Sequence, residues 1–579
     1  MSFLKTSLAS ELNEIKLHNK QQHKKGNGDN MDSDKKLLIK QIDSLEKVFP
    51  DQEPLEQKEG ITALWGETAS FQVAYYLDSD KYLCGKVVIE TELPYRIRKV
   101  SHVPVQFPCL RKRDDNYLRT TPGLFPDLLE DIQDGEIILV RDQWHSIWID
   151  FEINNTALKG EYPVKVLIYD ETEELLGQIS TKVEVIGAEL PKLPIKHTEW
   201  FYADCLADYY HVEVFSEEHW KLIEEFMKTA TLRKCNTILT PLFTPALDTY
   251  VGGERTTVQL VKVTVREGQY SFCFDDLEKW VDLAHRCGFE FFEMSHLFTQ
   301  WGIKAAPKIM ADVDGTYKRI FGWDTPATGG TYEEFLKIFL PELTKELKRL
   351  GITEKCYFHI SDEPRVHMLE DYQNAKKVVA PFLEGFHMLD ALSELSFYED
   401  GLVEVPACSI NHIEPFLEKK VENLWSYYCC TQGTKVSNRF MSMPSYRNRI
   451  YGVQVYLYQI KGMLHWGYNF YNSILSMRNI NPYQVTDCDF GMPSGDAFLV
   501  YPGPDGKPEE SIRIMVLYEA MADICAMYLL ESLTNRETVE QMIEEEAGMK
   551  ITFLEYPKDP TFCIRLRNRI NQKIGELTN

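Results

Sequence analysis

The chain has no basic surplus. Its 579 residues carry 63 Lys and Arg against 88 Asp and Glu, a formal charge of −25. A protein that neutralises phosphates needs a basic face, so this balance excludes a nucleic-acid partner. Long apolar runs are missing as well. None approaches the ~18 residues of a membrane span, and the N-terminus MSFLKTSLASELNEIKLHNKQQHKKGNGDN lacks the apolar region of a signal peptide. The 13 cysteines are odd in number, scatter from Cys84 to Cys563 and include no C-x-x-C pair, which argues against a disulfide framework and a structural zinc site. No H-E-x-x-H occurs, and PGPDGKP around Gly503 is a turn without the spacing of a phosphate-binding loop. These absences predict a soluble cytoplasmic protein with no membrane attachment, no metal and no organic cofactor. What is abundant is apolar and aromatic: 44% and 12% of residues, with 30 Tyr and 10 Trp, the usage expected where flat apolar faces meet hydroxyl-bearing ligands.

Residues 1–34, rich in Lys, Asn, Asp and Gln, read as a disordered or loosely helical tail. Over residues 35–190 alternating apolar and polar positions in TALWGETASFQVAYYL, CGKVVIETEL, EIILV, HSIWIDFEI, YPVKVLIYD and TKVEVIG predict an antiparallel β-sandwich. Within it DDNYLRTTPGLFPDLLE is too long for a hairpin turn and reads as a loop reaching a neighbouring domain. Pro191 and Pro194 mark a stiff linker. Strand-like runs then alternate with amphipathic helical ones, the strands falling at 197–204, 237–243, 289–297, 355–363, 386–394, 404–410, 423–430 and 462–470. Eight β-then-α units over residues 191–510 predict a (β/α)8 TIM-type barrel. A hairpin at TVQLVKVTVREGQYSFCF and an excursion at IKAAPKIMADVDGTYKRIFGWDT follow strands, which puts both on the C-terminal rim where barrel sites are built. Residues 511–579 read as a C-terminal helical segment packed on the barrel.

The strand ends are rich in chemistry: Asp204, Phe243, His296, Asp362 with Glu363, Glu394, Tyr427 with Tyr428, and Trp466 with Asn469. FHISDEP is the most informative. Neighbours in a strand face opposite ways, so Asp362 and Glu363 can face one site only at a turn, which Pro364 imposes. The bland reading of the pair is a helix N-terminus before HMLEDYQNAKK, where carboxylates are favoured. A metal site from His359, Asp362, Glu363 and His367 is a weaker reading without recognised spacing. Tyr427 and Tyr428 alternate along a strand, so one faces the barrel axis. Trp466 is a sugar platform or a core filler, and His296 a ligand or packing. Of Cys429 and Cys430 one should face away, and no His stands at a diagnostic spacing for a thiol nucleophile. A retaining glycosidase ordinarily takes two acids from different strands, ~5 Å apart, but the seventh and eighth strands offer no carboxylate. An adjacent Asp-Glu pair suits a substrate-assisted mechanism, in which the sugar's own 2-acetamido group attacks the anomeric carbon.

With HLFTQWGIKAAPKIM upstream and LWSYYCC and LVYPGPDG downstream, FHISDEP resembles glycoside hydrolase family 123, also described as domain of unknown function 4091. The resemblance runs from NYLRTTPGLFPDLL to the helix after GDAFLVYPGPDGKPEESIR. It implies a β-sandwich joined to a (β/α)8 barrel, and a β-N-acetylgalactosaminidase that releases terminal GalNAc with retention through an oxazoline. By that resemblance Asp362 stabilises the 2-acetamido group and Glu363 is the general acid/base. Asn236, His296, Tyr427, Tyr428 and Trp466 fall in family-like segments and are expected to line the sugar pocket. The expected partner is a glycan or glycoconjugate ending in an N-acetylhexosamine. Two other classes stay open at this point: a catalytically silent glycan-binding protein on the same fold, and a metal-dependent sugar isomerase or lyase.

Overall fold

The computed structural model describes residues 36–57, 60–300 and 302–578. The tail at 1–34 and Trp301 lie outside the described residues. Two five-stranded sheets come first. One runs Lys36–Ile42, Glu67–Asp78, Trp144–Ile153, Tyr95–Val105, Gly123–Asp131 across the sheet, and the other Ile61–Trp65, Leu175–Glu189, Gly160–Asp170, Leu83–Glu90, Glu136–Leu139. Every pairing is antiparallel except Ile61–Trp65 on Leu175–Glu189, which is parallel, so the second sheet is mixed where a purely antiparallel one was expected. Phe71, Val73, Ile147, Ile149, Val166 and Val185 fill the space between the sheets, at alternate positions of their strands.

The first sheet is buried on both faces. Trp148, one residue from Ile147, turns the other way and joins Val100, Phe125 and Leu128 in the large core that also holds the barrel. This explains why HSIWIDFEI reads as nearly continuous apolar residues. Gly123–Asp131 corrects the expectation of an irregular loop, since the second half of that stretch is an edge strand. Its Pro126 sits beside a register shift between Ser101 and His102, and an edge strand with a bulge tolerates a missing N–H.

The barrel closes through eight parallel strands: Lys196–Glu199, Thr237–Thr240, Phe291–Met294, Cys356–Phe358, His387–Leu392, Val405–Ser409, Trp425–Tyr427 and Gly462–His465. Seven lie inside the expected runs and the first starts one residue before its run, at Lys196; all eight are shorter than the runs, so the barrel's C-terminal rim begins earlier along each. The insertions after strands two and three, Lys262–Arg266 with Gln269–Cys273 and Ile309–Val313 with Thr316–Phe321, join into one four-stranded sheet through a parallel central pair. Helix Ile512–Leu533 packs along helix Tyr446–Leu457, the helix between strands seven and eight. Their approach is close enough that a Cβ on Gly452 would lie 2.3 Å from the Ala520 carbonyl oxygen. Glu414–Glu418 and Ser396–Glu399 are much shorter than the helices on the other side of the barrel. No helix among the described residues is long and apolar enough to cross a membrane.

Candidate active site

The fourth strand ends at Phe358, and four residues later the chain reaches Asp362 and Glu363. Glu363 adopts φ +45°, the left-handed region that costs a non-glycine residue energy and accompanies sites held by their surroundings. That turn brings both carboxylates to one cavity at the C-terminal mouth of the barrel, with Trp200, Tyr202, Tyr427 and Trp466 among its walls. The helix that follows begins only at Leu369, with Met368 at its N-cap and no side-chain cap. The pair therefore does not serve as a helix cap.

Each acid has a dedicated partner. Tyr427 Oη donates to Glu363 Oε1 at 2.5 Å, and Gln300 Nε2 donates to Asp362 Oδ2 at 2.5 Å. Gln300 is oriented in turn by the backbone N–H of Asp248, which donates to its Oε1 at 2.7 Å. Burial, and next the charge of Glu363, push Asp362 up to about 7, against the pull of the Gln300 amide and of His359. Asp362 therefore holds a proton near neutrality more readily than an isolated aspartic acid does.

Below the cavity lies a charged layer that no solvent reaches. His359 Nε2 sits 2.9 Å from Glu293 Oε2 and its Nδ1 3.4 Å from Asp390 Oδ1. Burial pulls the imidazole down, but Asp390 and Glu293 together outweigh it and hold His359 at about 9. A fixed cation thus stands beneath Asp362. Trp200 Nε1 donates to Glu293 Oε2 at 2.9 Å, so the cavity floor and the charged layer are one network. His296, stacked on His359 at 4.4 Å, is kept neutral by burial and by that cation. The ligand atoms of His296, His359 and Asp390 lie within 4.8 Å of one another. Asp390 is also engaged by the Ile360 N–H and the Tyr372 hydroxyl. The arrangement is an acid–imidazolium–acid stack.

Of the residues expected at the site, Asp362, Glu363, Tyr427 and Trp466 share the cavity. Trp466 is fixed by its indole N–H, which donates to Asp496 Oδ2 at 2.8 Å. Three others stand elsewhere. Asn236 precedes the second strand, at the barrel's N-terminal end, where its side chain accepts from His197 N at 2.8 Å and donates to the Ile195 carbonyl at 2.8 Å. It ties neighbouring strands together and does not line the cavity, because a residue before a parallel strand faces the opposite mouth from one after it. His296 lies in the buried layer below. Tyr428, alternating with Tyr427, faces the outer helices: its hydroxyl meets Asn448 and its ring meets Tyr451 edge-on.

The sequence reading passed over Trp200, Tyr202, Asp248 and Gln300. Trp200 immediately follows the first strand, but that run was read as extending to Asp204. Asp204 instead makes a buried ion pair with Arg255, at 2.6 Å. Gln300 and Asp248 come from long rim loops, whose path is set by tertiary packing. Cys429 and Cys430 were expected to point apart, yet both line the cavity, because the strand ends at Tyr427 and the chain turns there.

No curated protein sequence is similar to this chain. Residues 200–530 match the family described as glycoside hydrolase 123, catalytic domain. Among solved structures, a family 123 glycoside hydrolase from Clostridium perfringens, studied for glycolipid glycan hydrolysis, superposes with a TM-score of 0.73 at 15% identity, over 93% of this chain and 98% of that one. A β-glucuronidase from Parabacteroides merdae gives 0.32 at 9% identity, over 78% and 50%. The architecture of sheets and barrel is shared with the first, and the match over more than half of the sequence spans the carboxylate pair and the cavity that holds it: the chain belongs to glycoside hydrolase family 123, and is a glycosidase.

Proposed function

We propose that the protein is a retaining exo-β-N-acetylhexosaminidase that removes terminal β-linked GalNAc with the help of the substrate's own acetamido group. The observation that carries this reading is the adjacent Asp362–Glu363 pair, turned into one aromatic cavity by the left-handed backbone at Glu363. In the first step the acetamido carbonyl oxygen bonds to the anomeric carbon while the glycosidic bond breaks. Glu363 delivers its proton to the departing oxygen. Asp362 accepts the acetamido N–H and offsets the charge of the oxazolinium that forms. In the second step water adds to the anomeric carbon, Glu363 takes its proton, and the acetamido group is released with the starting configuration restored. Gln300 holds Asp362, Tyr427 holds Glu363, and the walls formed by Trp200 and Trp466 favour the apolar face of a sugar ring. Tyr202 adds a buried hydroxyl with no partner, suited to a sugar hydroxyl.

One further carboxylate lines the cavity. Asp248 Oδ2 accepts from the Leu475 N–H at 3.1 Å, which holds it in the rim loops. If Asp248 formed a covalent glycosyl intermediate, Asp248→Asn would abolish turnover while a thiazoline mimic of the oxazoline would inhibit weakly. Substrate assistance requires the reverse. The deciding experiment is hydrolysis of p-nitrophenyl β-GalNAc and β-GlcNAc with and without the thiazoline, alongside Asp362→Asn. Release from the GalNAc substrate, blocked by the thiazoline, supports the proposal. Release that ignores the thiazoline overturns the mechanism, and preference for GlcNAc overturns the sugar. Activity that vanishes with EDTA would favour a metal at the His296–His359–Asp390 stack.

A further inference from the structure

The cavity wall contains an adjacent pair of cysteines that the glycosidase reaction has no use for. Cys429 and Cys430 follow the seventh strand, are partly exposed, and both line the cavity of Asp362 and Glu363. They are the one pair of sequence neighbours among the 13 cysteines of the chain. Both residues border that one cavity, so the turn presents them on the same side, with Cys429 Sγ 3.8 Å from the Thr431 hydroxyl.

The turn that presents them is braced on every side. The Cys429 N–H donates to Gln432 Oε1 at 2.8 Å, and Asn438 Nδ2 donates to the Cys429 carbonyl at 2.9 Å. The Gln432 side-chain amide is fixed by Asn411 Oδ1 at 3.0 Å. From the sandwich, Tyr117 Oη donates to the Gly433 carbonyl at 2.7 Å. A chelator gains affinity when its donors are already in place, because the conformational entropy of bringing them together has been lost on folding.

We propose that Cys429 and Cys430 form a dithiol binding site for soft, thiophilic ions of the trivalent arsenic class, and that an ion bound there occupies the sugar cavity. That the cavity is the sugar's rests on the function proposed above; the dithiol site itself does not. The chemistry is a condensation without oxidation. An organoarsenic(III) oxide exchanges its oxo group for two As–S bonds, the two S–H protons leave with that oxygen as water, and arsenic stays trivalent. A single thiol holds such an ion weakly, whereas two on one backbone turn chelate it. Ordinary alkylation needs a free thiolate, and the neighbouring Cys429 thiol together with burial holds the Cys430 thiol well up.

The probe is phenylarsine oxide, read by intact mass on the folded full-length protein. Wild type is expected to take one equivalent, removed by 2,3-dimercaptopropanol but not by an equal concentration of a monothiol. Cys429→Ser and Cys430→Ser, each shown folded by its thermal melt, should each lose it. No adduct on wild type, or an undiminished adduct in either variant, overturns the site. The second arm adds the thiazoline. Where it inhibits hydrolysis, it should slow arsenical uptake at least tenfold, and unchanged uptake would place the dithiol outside the sugar's space and overturn the link. Where the thiazoline fails to inhibit, the substrate-assisted reading falls, while the adduct and its loss in the variants still support the dithiol site.

Discussion

Asp362 and Glu363 differ in their partners: an amide for one, a phenol for the other, with a buried imidazolium beneath the first. If Glu363 is the proton donor, Glu363→Gln should lower kcat/KM by roughly 10²- to 10⁴-fold on substrates with poor leaving groups, and much less on p-nitrophenyl glycosides in the first step. Equal losses on both would remove it from that role. The pH profile follows from Asp362. Its carboxyl is raised, so the ionised form that would receive the acetamido N–H in the proposed mechanism accumulates only as pH climbs through about 7, and kcat/KM should then rise there. Removing the Glu363 charge in Glu363→Gln should shift that rise to lower pH on an activated substrate, a direction that a pH–rate series reads. Gln300→Ala does the opposite. It deletes the hydrogen bond that pulls Asp362 down, so the rise should move to higher pH, with a loss of roughly 10- to 100-fold for one hydrogen bond to a charged group. A kcat unchanged at every pH would make Gln300 a bystander. At this scale the acid pair was legible, because an Asp-Glu-Pro run cannot remain a strand. Gln300 was not, because nothing local distinguishes it from any loop glutamine, and its partner lies 62 residues away.

The elements that carry the site were readable from periodicity, their ends much less so. Apolar runs marked all eight barrel strands, but packing of the rim cuts each of them short. Reading the first strand to Asp204 displaced attention from Trp200, which follows its last residue, Glu199. Asn236 departs from expectation for a related reason: it precedes its strand, and so faces the opposite mouth of the barrel from the residues that follow one. The edge strand Gly123–Asp131 was hidden by Pro126, which the bulge at its partner accommodates. One contact between elements is testable directly. Gly452→Ala places a methyl group 2.3 Å from the Ala520 carbonyl oxygen, and backbone cannot swing aside as a side chain does. The helices must separate, at a cost of roughly 1–3 kcal/mol. Thermal melts should show a lower Tm, and an unchanged Tm would mean that the two helices do not approach as described.

Across the whole molecule, sandwich and barrel are joined by buried charge as well as by apolar packing. Glu510 meets Arg98 of the sandwich at 2.6 Å and Arg233, after the barrel's helix Glu217–Leu232, at 2.5 Å, and Arg98 also reaches Asp150 at 2.5 Å. Burial alone would raise the Glu510 carboxyl, but Arg233 and Arg98 overcome it and hold it at about 2. The folded value is therefore below the unfolded one of about 4.5, so this acid stabilises the fold above that pH and its contribution is lost as pH falls towards 2. Glu510→Gln should cost roughly 3–5 kcal/mol at neutral pH, because two buried guanidinium groups lose a counter-charge, and should leave stability less dependent on pH between those limits. Denaturant titrations at pH 7 and pH 3 read both effects, and an equal cost at the two pH values would contradict the linkage. The sequence by itself determined the class of the chain, its two kinds of strand and the acid pair, since each is written in local periodicity or in neighbouring residues. Only the tertiary structure decided which tyrosine faces the cavity of the acid pair, which rim loops supply Gln300 and Asp248, and that two cysteines share one wall. Those facts depend on where strands end and on contacts between residues distant in the chain, and no local pattern encodes either.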